Sequence, residues 1–397
     1  MTQPHASHEI AITDRTFGDL GLSQDILKSV KRAGFEHPTP IQAQVIPVAL
    51  QGRDIIACAQ TGTGKTAAFV LPIAERLRHS RGIRGLILCP TREIASQTTD
   101  FLNLFGVGHD LKTVMIIGGV SFGPQIRGLK EHPDIIVATP GRLVDHMERG
   151  NVSLRFIHHL VLDEADHMLD LGFLPQIQHI LKSVPKKRQT MMFSATMPFE
   201  IERLAQQFLQ DPLKIEAARE GTVAQGISQR LYLVNPEDKK RCLIALLKEI
   251  EGKTLIFTRT KVDASWLMKV LIKEGISAEE LHSNLSQSER KSSLEGFKKG
   301  QYRVLVASDI AARGIDIPTI EHVINYDIPE NPEDYIHRVG RTARYDKEGL
   351  ASTIADWTEK SKIGAIEDKI GFKLPRCCVL GVSPYEELGF KKRPFGR

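Results

Sequence analysis

Short, unbroken apolar runs recur along the first half of the chain, and each stops at a small or polar cluster. Asp54-Ile55-Ile56-Ala57-Cys58 leads into a Gly-rich stretch, and Leu86-Ile87-Leu88-Cys89 ends at Pro90-Thr91-Arg92-Glu93. Val114-Met115-Ile116-Ile117 ends at Gly118-Gly119, and Ile135-Ile136-Val137-Ala138 at Thr139-Pro140-Gly141-Arg142. Leu160-Val161-Leu162 runs into Asp163-Glu164-Ala165-Asp166, and Met191-Met192-Phe193 into Ser194-Ala195-Thr196. Runs without polar alternation fit strands covered on both faces, and the amphipathic stretches between them fit helices. Their alternation predicts a parallel sheet whose strand ends gather on one edge, where ligands bind.

Two helices precede the first strand. Ser23 caps one, with Ile26, Leu27 and Val30 on one face and an end near Gly34. Pro38 and Pro40 fix a rigid turn around Thr39, and Gln42 opens the other. A second α/β pattern follows a small, polar, Gly-containing linker from Ala217 to Gly226. Its strands are Thr254-Leu255-Ile256-Phe257-Thr258, Val304-Leu305-Val306-Ala307 and His322-Val323-Ile324-Asn325. Ser286 and Glu289 make a capping box for the helix that ends at Gly300, and Asn331-Pro332 starts another. The resulting division is a disordered start (1–14), a first α/β domain (15–212) and a linker (213–226). A second α/β domain (227–372) and a basic tail (373–397) follow.

Composition narrows the class. At 397 residues, 41% hydrophobic and 25% charged, the chain is of soluble globular type with room for two or three domains. No apolar run is long enough to span a bilayer, and the polar start with His5 and His8 is no secretory signal. The five cysteines show no zinc or disulfide spacing, so Cys58 and Cys89 are expected as buried thiols in a cytoplasmic protein. Net charge is +5, and the tail from Lys373 carries six bases against Glu386 and Glu387. That tail is either a solvated end or a loose attraction for nucleic-acid phosphates.

The chemistry centres on Ala59-Gln60-Thr61-Gly62-Thr63-Gly64-Lys65-Thr66, between a strand and a helix. Glycines let backbone N–H groups approach phosphate oxygens, and the helix N-terminus adds a positive dipole end. Lys65 is placed to reach β- and γ-phosphates, and the Thr66 hydroxyl to hold Mg²⁺. Asp163, at a strand end, suits water-mediated Mg²⁺ binding, and Glu164 suits deprotonation of the attacking water. Gln42 can pair with the N6/N7 edge of adenine, with Phe17 or Phe35 supplying an aromatic face. Thr91, Arg92, Gly119, Thr139, Gly141 and Arg142 suit phosphodiester oxygens rather than bases. Arg338, Arg341 and Arg344 recur at helical spacing and are candidate arginine fingers, worth roughly 10³–10⁵ in phosphoryl-transfer rate.

Taken together and in this order, these segments resemble the DEAD-box ATP-dependent RNA helicases, and most closely their minimal bacterial members. The resemblance runs from about Phe17 to about Gly371 and takes in Thr258, His282, Gln287, Arg290, the 309–316 stretch and the 337–344 stretch. It implies two tandem RecA-like domains, each a parallel sheet covered by helices, joined by a flexible linker. It implies adenine reading by Gln42 and ATP chemistry by Lys65, Thr66, Asp163 and Glu164. Gly314 and Asp316 would meet the nucleotide, Asp316 at the ribose, while Arg341 and Arg344 would be fingers, with His337 beside them. RNA would lie on Pro90, Thr91, Arg92, Gly119, Thr139, Gly141, Arg142, Thr258, Ser308 and Arg338. Asp166, Ser194 and Thr196 would couple nucleotide state to RNA handling. The cofactors implied are ATP and Mg²⁺. The partner implied is single-stranded or short duplex RNA, with ribonucleoprotein or RNA-decay partners left open, for a monomer away from membranes. Ser308 stands where the family usually has Thr, Ala343 where Gly is usual, and Ser283 follows His282 where Gly is common.

Other classes compete. An ATP-gated RNA clamp would carry the same residues and differ only in duplex release. A DNA-directed translocase is disfavoured by the adenine-reading segment and the full Asp-Glu-Ala-Asp. A GTP switch protein would need an Asn-Lys-x-Asp element that the chain lacks.

Overall fold

A computed structural model describes residues 15–59, 62–78, 82–106, 111–216, 226–309, 320–342, 348–379 and 382. Gln60, Thr61, Gly314, Asp316 and Arg344 lie outside the described residues, as do 1–14, most of the linker and the end of the tail. The chain divides into two compact units, with the main division between Glu220 and Gly221.

In the first unit, helices α1 (Gln24–Arg32) and α2 (Pro40–Leu50) precede strand β1 (Ile55–Cys58) and helix α3 (Lys65–Leu77). Then come β2 (Gly85–Leu88), α4 (Arg92–Phe105), β3 (Thr113–Ile116), α5 (Phe122–Lys130), β4 (Ile135–Ala138) and α6 (Pro140–Glu148). The unit ends with β5 (His159–Leu162), α7 (Ala165–Asp170), α8 (Leu174–Ser183), β6 (Gln189–Ser194), α9 (Phe199–Phe208) and β7 (Leu213–Glu216). The sheet order is β3-β4-β2-β5-β6-β1-β7, and every neighbouring pair is parallel. Period-two alternation divides the strand side chains between two cores. Ile87, Val137, Val161, Met191 and Phe193 enter one core, and Leu86, Leu88, Ile136, Leu160, Leu162 and Met192 the other. Both faces are therefore covered, which is why the runs are continuous in sequence.

The second unit repeats the plan. It contains β8 (Ile227–Leu233), α10 (Lys239–Glu249), β9 (Thr254–Thr258), α11 (Lys261–Lys273), β10 (Ala278–Leu281), α12 (Gln287–Lys299) and β11 (Val304–Ser308). After these come β12 (His322–Asn325), α13 (Pro332–Val339), β13 (Gly349–Ala355), α14 (Lys360–Ile370) and β14 (Arg376–Cys377). Its parallel order is β10-β11-β9-β12-β13-β8-β14. Ile256, Val306 and Ile324 face one core, and Leu255, Phe257, Leu305 and Val323 the other. The Ser286–Glu289 capping box is formed, with Ser286 N donating to Glu289 at 2.7 Å.

Two boundaries differ from the sequence division. Leu213–Glu216 is not linker but an edge strand of the first sheet, paired with β1. Asp211-Pro212 breaks the chain locally without ending the domain. The fold also continues past 372, because β14 pairs with β8 and Val379 and Val382 join the second unit's core. Two of the tail's bases, Lys373 and Arg376, are paired with Glu367.

Candidate functional site

At the end of β1 the Ala59 amide donates to the Ser194 carbonyl at 3.0 Å, joining the cradle to the end of β6. Gly62 and Gly64 have φ of +88° and +92°, a region that side chains other than glycine rarely adopt. Gly64 is the residue before α3, so Lys65 and Thr66 open that helix. Lys65 is 5% exposed, and its Nζ has no hydrogen-bond partner. Thr63 and Thr66 are half-buried beside it.

Gln42 is buried and joined to this turn. Its Oε1 accepts from the Thr39 amide at 3.0 Å, and its Nε2 donates to the Gly64 carbonyl at 3.1 Å. Since one partner only donates and the other only accepts, the amide orientation is fixed. These two bonds leave one N–H and one acceptor lone pair, the pair that an adenine N6/N7 edge takes. A Cβ at Gly64 would lie 2.4 Å from Gln42 Nε2, so no larger residue fits there with Gln42 in place. Phe17 is not available as an aromatic face. It is buried in the core, edge-on to Phe35 at 6.3 Å, and Phe35 is the half-buried ring of the two.

Asp163 follows β5, and its amide donates to the Leu88 carbonyl at 2.9 Å. Its carboxyl is 3% exposed and Oδ1 has no hydrogen-bond partner. Burial pushes the carboxyl up to about 7, the Glu164 charge adds to the rise, and the Lys65 charge opposes it. The ammonium and the carboxylate are thus within electrostatic reach of one another. Glu164 is a non-glycine residue with φ +50° at the start of α7. Its Oε2 lies 3.1 Å from His167 Nδ1.

Asp166 binds the segment after β6. Its Oδ2 accepts from the amides of Ala195 and Thr196, at 3.0 and 2.8 Å, and from the Thr196 hydroxyl at 3.0 Å. In return the Ser194 hydroxyl accepts from the Asp166 amide at 3.1 Å. Asp166, Ser194 and Thr196 therefore form one hydrogen-bonded unit.

The ends of β2, β3 and β4 interlock on the same edge. The Arg92 guanidinium packs against Gly119 (φ +70°), where a Cβ would be 2.0 Å from it. Thr91 caps α4, accepting from the Ile94 amide at 3.3 Å, and buried Pro90 precedes it. Arg142 donates to the Val120 carbonyl at 2.6 Å, tying the Thr139-Pro140-Gly141-Arg142 turn to the segment after Gly119. Phe122 carries the guanidinium groups of Arg142 and Arg149 on its ring at 4.4 and 4.2 Å. Neither Phe122 nor His167 stands out in the sequence; a Glu-x-x-His step onto a short helix was the available sign for the latter.

In the second unit three expectations change. Arg338 does not face a ligand. It is 2% exposed and binds Asp309 at 2.5 and 2.6 Å, Asn325 Oδ1 at 3.2 Å and the Asp327 carbonyl at 2.6 Å. This is an ion pair between a buried guanidinium and a half-buried carboxylate, and it holds α13 to the ends of β11 and β12. The Thr258 hydroxyl also turns inward, donating to the Thr260 carbonyl at 3.2 Å. Arg338 and Arg341 do not share one helix, because α13 ends at Val339. Arg341 sits in the turn beyond, with Nε donating to the His337 carbonyl at 3.1 Å. Ser308 closes β11 and is buried, and His337 is half-buried on α13.

A Mg²⁺ nucleotide fits the first unit. Among the described residues no three His, Cys, Asp or Glu side chains converge to hold a metal alone. An ion at Asp163 therefore needs substrate oxygens to complete its shell, the usual arrangement for Mg²⁺ on phosphates. The unpartnered Lys65 Nζ and Asp163 Oδ1 supply a cation and an anion for such a pair. No helix of the described residues is long and apolar enough to cross a membrane.

The family model for DEAD/DEAH box helicases matches residues 39–204, and that for the helicase conserved C-terminal domain matches 238–346. The chain is 45% identical over 365 residues to the DEAD-box ATP-dependent RNA helicase CshA of Geobacillus kaustophilus, covering 91% of this chain and 78% of that one. The chain belongs to the DEAD-box helicase family. A second DEAD-box relative, RhpA of Helicobacter pylori, is 42% identical over 374 residues, with 93% and 76% covered. The solved structure of S. cerevisiae Dbp5 bound to RNA and ADP BeF3 superposes with a TM-score of 0.84 at 32% identity, covering 91% and 95%. Mss116p bound to ssRNA and AMP-PNP gives 0.84 at 28%, covering 91% and 80%. The DEAD-box chain thus carries the two RecA-like domains expected of it.

Proposed function

We propose that the protein is an ATP-dependent RNA helicase that couples RNA-stimulated ATP hydrolysis to local opening of short duplexes or remodelling of RNA–protein complexes. One observation carries the reading: Lys65 Nζ, at the helix start after the glycine turn, and Asp163 Oδ1 are both buried and unpartnered, and the Lys65 charge acts on the Asp163 carboxyl. The names of its relatives, ATP-dependent RNA helicases over most of their length, support the same activity.

In this reading Lys65 and the cradle amides hold the phosphates, and Thr66 and Asp163 hold Mg²⁺. Bound there, Mg²⁺ neutralises charge on the phosphate oxygens. Glu164 takes a proton from water as the water oxygen bonds to the γ-phosphorus and the bond to the bridging oxygen breaks. Gln42 reads adenine. Arg341 is assigned to the phosphates on sequence grounds. Arg92, Gly119, Thr139, Gly141 and Arg142 contact the RNA backbone, so little base preference follows. The cysteines show no zinc or disulfide spacing in sequence, which supports a reducing, cytoplasmic setting, and the proposal is for a monomer. Ribonucleoprotein or RNA-decay assemblies are the partners it would serve.

Local opening limits reach. Each stacked step costs about 1.4 kcal/mol to break on the DNA scale, so bending that frees a few steps releases short duplexes only. Unwinding measured against duplex length tests this, with Glu164→Gln as control. Loss of activity beyond short duplexes, with the control inactive in turnover, is expected. Undiminished activity on long duplexes, or binding without any release, overturns it.

A further inference from the structure

His167 is a buried imidazole in contact with the proposed base. It is 2% exposed, and its Nδ1 lies 3.1 Å from Glu164 Oε2, one turn back along α7. An ionised carboxylate only accepts, so Nδ1 carries a proton and donates to it. Nε2 is buried with no hydrogen-bond partner. An apolar residue would fill this place without stranding a polar atom. The imidazole's polar return is therefore its bond to Glu164. The backbone of His167 is fixed as well, its amide donating to Asp166 Oδ1 at 3.0 Å.

Glu164 needs such a support. It sits in a left-handed conformation at the start of a helix of six residues, and its long side chain has three rotatable bonds. A general base acts only within hydrogen-bond reach of the proton it takes. We propose that His167 is a positioning residue for the hydrolytic step, its Nδ1–H holding one oxygen of Glu164 so that the carboxylate is aimed at the attacking water. The inference rests on the reading of Glu164 as base. The same short turn then contains the base, its orienting imidazole and the carboxylate that grips Ala195 and Thr196.

The test uses the full chain and steady-state RNA-stimulated ATPase. His167→Leu keeps bulk and removes the donor. His167→Asn places an amide nitrogen near the Nδ1 position, and His167→Gln places it farther out. The leucine variant should lose about tenfold in kcat, or about 1.4 kcal/mol, with KM for ATP and RNA affinity within about twofold of the parent. Asparagine should restore kcat to within about threefold of the parent, and glutamine should not. Parental kcat in the leucine variant overturns the proposal, as do equal losses in the asparagine and glutamine variants. The asparagine–glutamine comparison decides if the leucine variant does not fold. Glu164→Gln separates the two failures: if it turns over ATP normally, the base reading falls and this inference with it. If it is inactive while His167→Leu is normal, only the positioning role falls.

Discussion

Gln42 Nε2 donates to the Gly64 carbonyl oxygen at 3.1 Å, so the segment before the first strand is bonded directly to the phosphate turn. Occupancy at either place therefore bears on the other. Gln42→Ala removes that bond and the Thr39 contact. At roughly 0.5–1.5 kcal/mol each, about 1–3 kcal/mol in all, the loss predicts a roughly five- to hundredfold rise in Kd for ATP. Discrimination between ATP and GTP should fall along with it. Gly64→Ala, meeting Gln42 Nε2 at 2.4 Å with φ +92°, should abolish ATP binding at concentrations that saturate the parent. Fluorescent-nucleotide titration checks both.

Thr196→Ala removes one of three donors to Asp166 Oδ2 and leaves the two amides in place. ATPase should stay within about threefold of the parent, at about 0.6 kcal/mol, while release of a short labelled duplex falls by more than tenfold. Parallel loss of both activities would show that this segment serves the chemistry rather than the coupling.

Arg338 gives a prediction about stability. Breaking a buried, hydrogen-bonded ion pair costs up to about 3–5 kcal/mol, and less here because Asp309 is half-buried and regains water. Arg338→Ala should lower the unfolding free energy of the second unit by up to that amount, read as a lower urea midpoint at unchanged slope, with Asp309, Asn325 and the Asp327 carbonyl all losing a donor. Arg142→Ala is the contrast: RNA affinity should fall, while stability loses only the Val120 bond and the Phe122 contact, about 1–2 kcal/mol. A stable Arg338→Ala protein with weakened RNA binding would restore the role first expected of it.

His322 sets a pH limit. It is fully buried, with Nε2 2.8 Å from Ser352 Oγ, and burial lowers it to about 3 from an ordinary value of 6.5. The unfolded chain therefore binds a proton below 6.5 that the folded chain refuses. Stability is full above that pH and is lost as pH falls toward 3, reaching about 2 kcal/mol at pH 5. Urea midpoints of the second unit at pH 7.5 and 5 should show the decline, and His322→Gln should flatten it.

Much of this was legible in sequence because continuous strands and their polar endings reflect the same cause: a sheet covered twice, with its reactive edge on one side. The cradle, Asp163, Glu164 and the Asp166–Ser194–Thr196 unit all emerged where strand ends predicted. What was not legible depends on partners far along the chain. Leu213–Glu216 looks like linker because an edge strand needs few apolar residues, and only its pairing with β1 identifies it. Arg338 resembles its surface neighbours until Asp309 and Asn325 are seen around it. Phe17 was plausible as a platform because aromatic rings serve cores and ligands alike, and only burial distinguishes them.

The placement of β1 has a consequence for synthesis. It is flanked by β6 and β7, with Ile55 opposite Met191 on one side and Leu213 on the other. A nascent chain that has exposed the cradle residues still lacks both neighbours of the strand beneath them. Such parallel, long-range pairing closes slowly. Ribosome-bound intermediates shorter than about residue 216 should therefore expose an apolar strand and bind no nucleotide, leaving a window in which chaperones, rather than ATP, protect the growing polypeptide.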